Sequence, residues 1–243
     1  MDIAAFIPAR AGSKGIPRKN MTDLNGKPLL KYSFDAAKNS RFINRILLST
    51  DDTEFAEYGK ENGIDILMRP DELANDTALI KDVIRYHLLD LAKDGYKPDI
   101  FILLQPTSPL RTEKHIDEAL KSLIDDPEAD AVVSLVEVPH EYLPMKIMKT
   151  VEDGSVKFYQ EDGEKFVTRQ TMPHLYARNG AAIYAVYTKA FLETGSLYGT
   201  RCIPYFMKEE ESIDIDSYFE LFLVESIMKD LDSWEKKRGI NEL

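Results

Sequence analysis

The stretch IAAFIPARAGSKGIPRKN, Ile3 to Asn20, joins an apolar run to a basic, glycine-containing loop. Ile3 to Pro8 is short, apolar and closed by proline, which predicts a strand. Between Ile3 and Thr22 stand four basic residues, Arg10, Lys14, Arg18 and Lys19, and no acidic one. Gly12 and Gly15 permit unusual backbone angles and close approach to a ligand. Backbone amides of such a turn can converge on phosphate oxygens while Lys and Arg supply charge. Ligands of open α/β sheets bind outside the carboxyl ends of the strands, where this loop falls. Its pattern is neither the P-loop nor GxGxxG, so the common ATPase and dinucleotide readings lack their signatures. Taken alone the loop supports an anion site, and a solvated basic loop is the plain alternative.

Outward from it, short apolar runs alternate with segments of helical period, the pattern of a mostly parallel sheet covered by helices. Strands are expected at Ile46–Ser49, Ile64–Met68, Ile100–Leu104, Ala131–Val136, Ala182–Tyr187 and Cys202–Met207. Helices are expected at Pro28–Lys38, Thr53–Asn62, Leu79–Lys93, His115–Ile124, from Lys189, and at Tyr218–Leu231. In the last of these, Phe219, Phe222, Leu223, Ile227 and Leu231 read as packing residues. From Pro139 to Arg178 the rhythm breaks, and Asp153-Gly154 and Asp162-Gly163 offer two hairpin turns. The organisation expected is therefore a core of 1–138 and 179–243 with a β-rich insertion at 139–178.

The chain has 243 residues, enough for one α/β domain with an embellishment. Lys plus Arg number 31 against 42 Asp plus Glu, a net charge of −11, which argues against general nucleic-acid binding. An anionic ligand must then be held by a local basic site. The single cysteine, Cys202, allows no intrachain disulfide and reads as a small buried residue. No signal-peptide layout opens the chain, and no apolar run approaches the ~20 residues of a membrane span. A cytoplasmic protein without a membrane partner is expected. His87, His115, His140 and His174 lack zinc-ligand spacing and read as core or surface residues.

Pro8 to Asn20 resembles the N-terminal signature of the acylneuraminate cytidylyltransferases, the CMP-sialic acid synthetases. The resemblance continues through Asn25-Gly26-Lys27-Pro28-Leu29, Ser49-Thr50-Asp51, Arg69-Pro70 and Leu73 to Thr77. It extends over Leu103 to Arg111, Arg169-Gln170, Asn179-Gly180 and Ile213 to Asp216, in the expected order along nearly the whole chain. It implies a Rossmann-like, three-layer nucleotidyltransferase fold whose insertion serves dimerisation. It also implies attack by the anomeric hydroxyl of an acidic nonulosonic sugar on the α-phosphate of CTP, with release of pyrophosphate. N-acetylneuraminic, legionaminic and pseudaminic acids are candidate sugars. A GTP-using variant and a silent nucleotide-binding module are the alternatives.

Residue by residue, the resemblance places Arg10, Ser13, Lys14, Lys19 and Asn20 on the triphosphate. Lys19 stabilises charge as pyrophosphate leaves, with Arg10, Asp214 and Asp216 completing the catalytic set. Arg69 and Asn75 fall on the loop that reads the base. Gln105, Lys146, Arg169 and Tyr184 fall to the sugar, and Arg111 lies close to Gln105 along the chain. Asp214 and Asp216, two apart on a strand, would share one face about 6.6 Å apart and could hold Mg2+. Against that, Asp216 or Ser217 could simply cap the final helix. The run Asn179 to Tyr184 has one residue more than the family pattern, which puts the sugar contacts in question.

Overall fold

The computed structural model describes residues 1–75, 77–165, 172–180 and 182–230. The strands are β1 (Ile3–Pro8), β2 (Asp23–Leu24), β3 (Lys27–Pro28), β4 (Arg45–Thr50), β5 (Asp65–Met68) and β6 (Ile100–Leu103). There follow β7 (Ala131–Glu137), β8 (Met148–Thr150), β9 (Val156–Phe158), β10 (Tyr176–Arg178), β11 (Tyr184–Tyr187) and β12 (Cys202–Phe206). The helices are α1 (Leu29–Asn39), α2 (Thr53–Glu61), α3 (Ile80–Lys93), α4 (Glu113–Asp125), α5 (Thr188–Thr194) and α6 (Tyr218–Lys229).

One eight-stranded sheet runs β10-β7-β11-β6-β1-β4-β5, with β12 added on β7. All its ladders are parallel except those made by β10 and β11. Strand pleating sorts the core into two layers. From β1, Ile3, Ala5 and Ile7 face a cluster with Leu30 and Phe34 of α1, Phe55 of α2 and Leu120 of α4. Ala4 and Phe6 face the opposite cluster, with Ile84 and Leu88 of α3 and Phe191 of α5. Helices therefore cover both faces of a mostly parallel sheet, as the alternating pattern predicted.

Local chemistry explains most boundaries. Asn25 (φ 51°) and Gly26 (φ 82°) make the left-handed turn of the β2–β3 hairpin, which the apolar periodicity did not reveal. Pro28 thus precedes α1 and does not lie within it. Asp52 caps α2 by accepting the Phe55 N–H at 3.0 Å. In the insertion, Asp153-Gly154 does turn the β8–β9 hairpin. At Asp162-Gly163 the described residues enter a 3-10 turn, Gly163–Lys165, and the arm that would complete a second hairpin lies outside the described residues. The chain rejoins the main sheet at β10, before Arg178, so the last residues of 139–178 belong to the central sheet. Cys202 is half-buried, and burial pushes its thiol up to about 11.

Two expectations are corrected on α6. Phe219 and Phe222 are exposed, at 70% and 64%. Val224, with Leu221 and Met228, forms the inward stripe instead. Leu231 lies outside the described residues. No helix among the described residues is long and apolar enough to cross a membrane.

Candidate active site

The basic loop after β1 is pinned at its middle by Ile16. That side chain is buried in a small satellite core with Leu24, Leu29, Val224 and Ile215. Ile215 belongs to the segment between β12 and α6, so one apolar cluster docks the loop against Asp214 and Asp216. Contact there is very close: a Cβ on Gly15 would lie 1.9 Å from the Asp216 carbonyl oxygen, which excludes any larger residue. Upstream, the Ala11 N–H donates to Asp51 Oδ1 at 2.8 Å and the Ala9 N–H to the Ser49 carbonyl at 2.9 Å. Asn20 is buried and its Nδ2 donates to the Arg10 carbonyl at 3.2 Å, closing the loop on itself.

The loop lines a cleft of about 540 Å³ at the carboxyl ends of β1 and β6. Arg10, Ser13, Lys14, Lys19, Asn20, Arg69, Asn75 and Gln105 all reach it, with Asp216 the only carboxylate on its wall among the described residues. Lys19 Nζ meets Asp216 Oδ1 at 2.8 Å. Burial holds the Arg69 guanidinium down at about 10, and its partner is the hydroxyl and carbonyl of Ser49, not a surface carboxylate. Asn75 shapes its own loop, accepting from Thr77 and donating to the Glu72 carbonyl. Arg18 is turned away: it pairs with Asp52 and Glu54 and lies over the Phe55 ring.

Asp214 and Asp216 do not lie on a strand, contrary to the expectation from their spacing. They flank Ile215 in an extended, irregular segment tied to the core by the Ile215 N–H to the Thr107 carbonyl, 2.8 Å. Asp216 faces the cleft. Asp214 sits behind it, packed so tightly on Gly180 that a Cβ there would fall 2.3 Å from the Asp214 Cγ. Burial pushes the Asp214 carboxyl up to about 6, with the charge of Asp216 adding to it. Its Oδ1 is buried and makes no hydrogen bond of good geometry among the described residues, though the Thr107 side chain lies near enough to favour the charged carboxylate. An orphaned carboxylate oxygen beside a second carboxylate suits a cation. No cluster of three acidic, His or Cys ligands occurs among the described residues, so an ion there would keep water or substrate oxygens in its shell, as magnesium does. Helix capping does not compete for these aspartates, because Ser217 and Glu220 form the capping box of α6.

A second cleft, about 530 Å³, adjoins the first, with Ile80 and Gln105 lining both. Tyr184 reaches it because the antiparallel β11 begins at the carboxyl end of β6, opposite Leu103. Arg178 and Tyr198 also line it. Arg178 Nη1 donates to the Tyr198 hydroxyl at 3.1 Å, and no carboxylate pairs with it among the described residues. Neither residue was singled out from the sequence. The extra residue in Asn179–Tyr184 marked the region, but nothing marked Tyr198. Five positions, 179–183, stand between Arg178 opposite Leu135 and Tyr184 opposite Val133, where β7 has Ser134 alone. Within that surplus Gly180 (φ 62°) packs onto Asp214. Arg111 is wholly buried and clamps this region, donating to the carbonyls of Gln105 (3.0 Å) and Ala182 (3.2 Å). Arg111 is therefore a strut and not a sugar ligand. Lys146 lies in the insertion and lines neither cleft. Arg169 lies outside the described residues.

This fold and site define an α/β protein with a basic, glycine-containing loop at the carboxyl edge of its sheet. Residues 4–229 match the family described as Cytidylyltransferase, and the chain belongs to that family. It is 33% identical to the CMP-N,N'-diacetyllegionaminic acid synthase of Legionella pneumophila, over 94% of this chain and 97% of that one. It is 35% identical to the N-acylneuraminate cytidylyltransferase of Escherichia coli O18:K1:H7, over 93% of this chain and 52% of that one. The chain thus spans about half the length of several curated relatives it matches. A solved structure described as CMP:2-keto-3-deoxy-manno-octonic acid synthetase complexed with CTP shares the fold at TM-score 0.67 and 16% identity, covering 95% of this chain and 99% of that one.

Proposed function

We infer that the protein transfers CMP from CTP to the anomeric hydroxyl of an acidic nonulosonic sugar and releases pyrophosphate. The observation that carries this reading is the meeting of Arg10, Lys14, Lys19 and Arg69 with Asp216 in one cleft, inside a chain of net charge −11. Arg10, Lys14 and Lys19 converge where a triphosphate would need neutralising, and phosphoryl transfer depends mainly on such positioning and charge stabilisation. Lys19, already directed into the cleft by its pair with Asp216, is placed to meet negative charge developing on the leaving pyrophosphate. Arg10 and Lys14 hold the outer phosphates, with the Ser13 hydroxyl beside them. Arg69 and Asn75 close the end of the cleft that receives the base. Gln105, on the wall common to both clefts, orients the sugar so that its anomeric hydroxyl faces the first while Tyr184 bounds its body in the second.

Asp214 and Asp216 would hold magnesium, which when bound supplies charge to the triphosphate and lowers the pKa of a coordinated hydroxyl. The insertion 139–178 supports a homodimer, in which Lys146 and Arg169 would reach the partner's sugar. A cytoplasmic location would suit the nucleotide substrate. Pyrophosphate release, assayed with CTP, GTP, UTP and ATP against N-acetylneuraminic, legionaminic and pseudaminic acids, tests the reading. Release should require an acidic sugar and CTP, and should stop when EDTA removes the metal. Release with no combination would overturn it, and release with GTP alone would reassign the nucleotide.

A further inference from the structure

Arg69 reaches the cleft, yet the edge that fixes its direction faces inward. Its Nε donates to the Ser49 hydroxyl at 2.9 Å and its Nη2 to the Ser49 carbonyl at 3.1 Å. A serine hydroxyl carries one proton, and one that accepts from a guanidinium is best satisfied by giving that proton to a third group. On the far side of Ser49, 2.9 Å away, lies His87 Nε2. The geometry points to His87 as a positioning residue for the base end of the nucleotide cleft: it accepts the Ser49 proton, which leaves the Ser49 oxygen to receive Arg69 and fixes the guanidinium's heading. This rests on the reading of the cleft as a CTP site and states how its base end is built.

The three residues come from three elements, β4, the loop after β5, and α3, so no local preference accounts for the chain of bonds. Ser49 and His87 are each 2% exposed, and water does not compete for their hydrogen bonds. The donor order requires a neutral ring with its proton on Nδ1. Burial, reinforced by the nearby positive charge of Arg69, holds His87 down at about 4, so the ring is neutral at physiological pH. A charged ring would offer a second donor where an acceptor is required. The same helix presents Ile80 and Val83 to the cleft, so His87 also ties that wall to Arg69. The edge-on contact between the Tyr86 and His87 rings, centroids 5.4 Å apart, restrains the imidazole plane.

The test is calorimetric binding of CTP, without sugar, to the full chain and to His87→Leu, His87→Gln, Ser49→Ala and Arg69→Ala. His87→Leu removes the acceptor and should weaken CTP ~5- to 10-fold, about the worth of one oriented hydrogen bond. His87→Gln keeps an acceptor and should stay within about twofold of wild type by the same reasoning. Ser49→Ala should reproduce the loss and carries the test should His87→Leu not fold. In the Arg69→Ala background, His87→Leu should cost nothing further, because its effect runs through Arg69. In turnover assays the loss should sit in the KM for CTP and leave kcat unchanged. Wild-type affinity in folded His87→Leu or Ser49→Ala, or a loss that adds to that of Arg69→Ala, would overturn the inference. Failure of the wild-type chain to bind CTP would instead sink the reading of the cleft itself.

Discussion

The two adjoining clefts have similar volumes, about 540 and 530 Å³, but they are built in opposite ways. The first takes most of its charge from one continuous stretch, Arg10 to Asn20, hung on the end of a single strand. The second is gathered from Lys81, Gln105, Arg178, Tyr184 and Tyr198, which lie far apart in the chain. A phosphate chain presents the same oxygens whatever it is attached to, so a compact loop of amides and cations can serve it. A sugar's substituents point in several directions, and side chains from several elements are needed to meet them. On the proposed function, the chemistry would reside in the first cleft and the choice of sugar in the second.

The hardest way to break that division is to remove Lys19. Lys19→Ala should lower kcat by ~100-fold or more, the usual scale for losing a charge-stabilising group. Its melting temperature should fall only modestly: the pair with the 76% exposed Asp216 adds little, and what is lost is the packing of the Lys19 stem, 12% exposed. Normal turnover at saturating CTP would show that the loop binds without taking part in the reaction.

A second substitution tests whether the clefts are mechanically joined. Gly180→Ala places a Cβ 2.3 Å from Asp214 Cγ on a residue at φ 62°. The strained backbone alone costs roughly 1–3 kcal/mol, enough to lower the melting temperature by several degrees. Displacing Asp214 should also cut turnover by ~10-fold or more in the protein that remains folded. Loss of stability with full activity would uncouple Gly180 from the work of the aspartate pair.

The smallest effect is expected from Arg178→Ala, and it sharpens the comparison most. Steady-state kinetics should show the KM for the sugar rising about tenfold, the value of one charge-assisted contact, with the KM for CTP unchanged. Burial pushes Tyr184 up to about 12, so its phenol stays neutral beside Arg178 and does not cancel the guanidinium charge. A change in the KM for CTP instead would merge the two clefts into one site.

What the linear order of residues could determine follows from range. Alternation of apolar runs set the three-layer α/β architecture, because strand and helix periods are local properties. A run of four cations without an acid marked the phosphate loop, because charge within one loop accumulates wherever that loop lands. Asp214 and Asp216 were legible as a pair by spacing. The strand expected beneath them was not, because Ile215 is held by the Thr107 carbonyl and the satellite core and no neighbouring strand continues the ladder. Only the tertiary structure decided that Gly15 and Gly180 are contact points for the aspartate segment, that Arg18 faces outward, and that Arg111 braces Gln105. It alone joined Arg178 to Tyr198 and His87 to Arg69 through Ser49. The glycine–aspartate contacts and the Ser49 hydrogen bonds link elements well separated in sequence, and such contacts exist only once the sheet has ordered the strands that carry them.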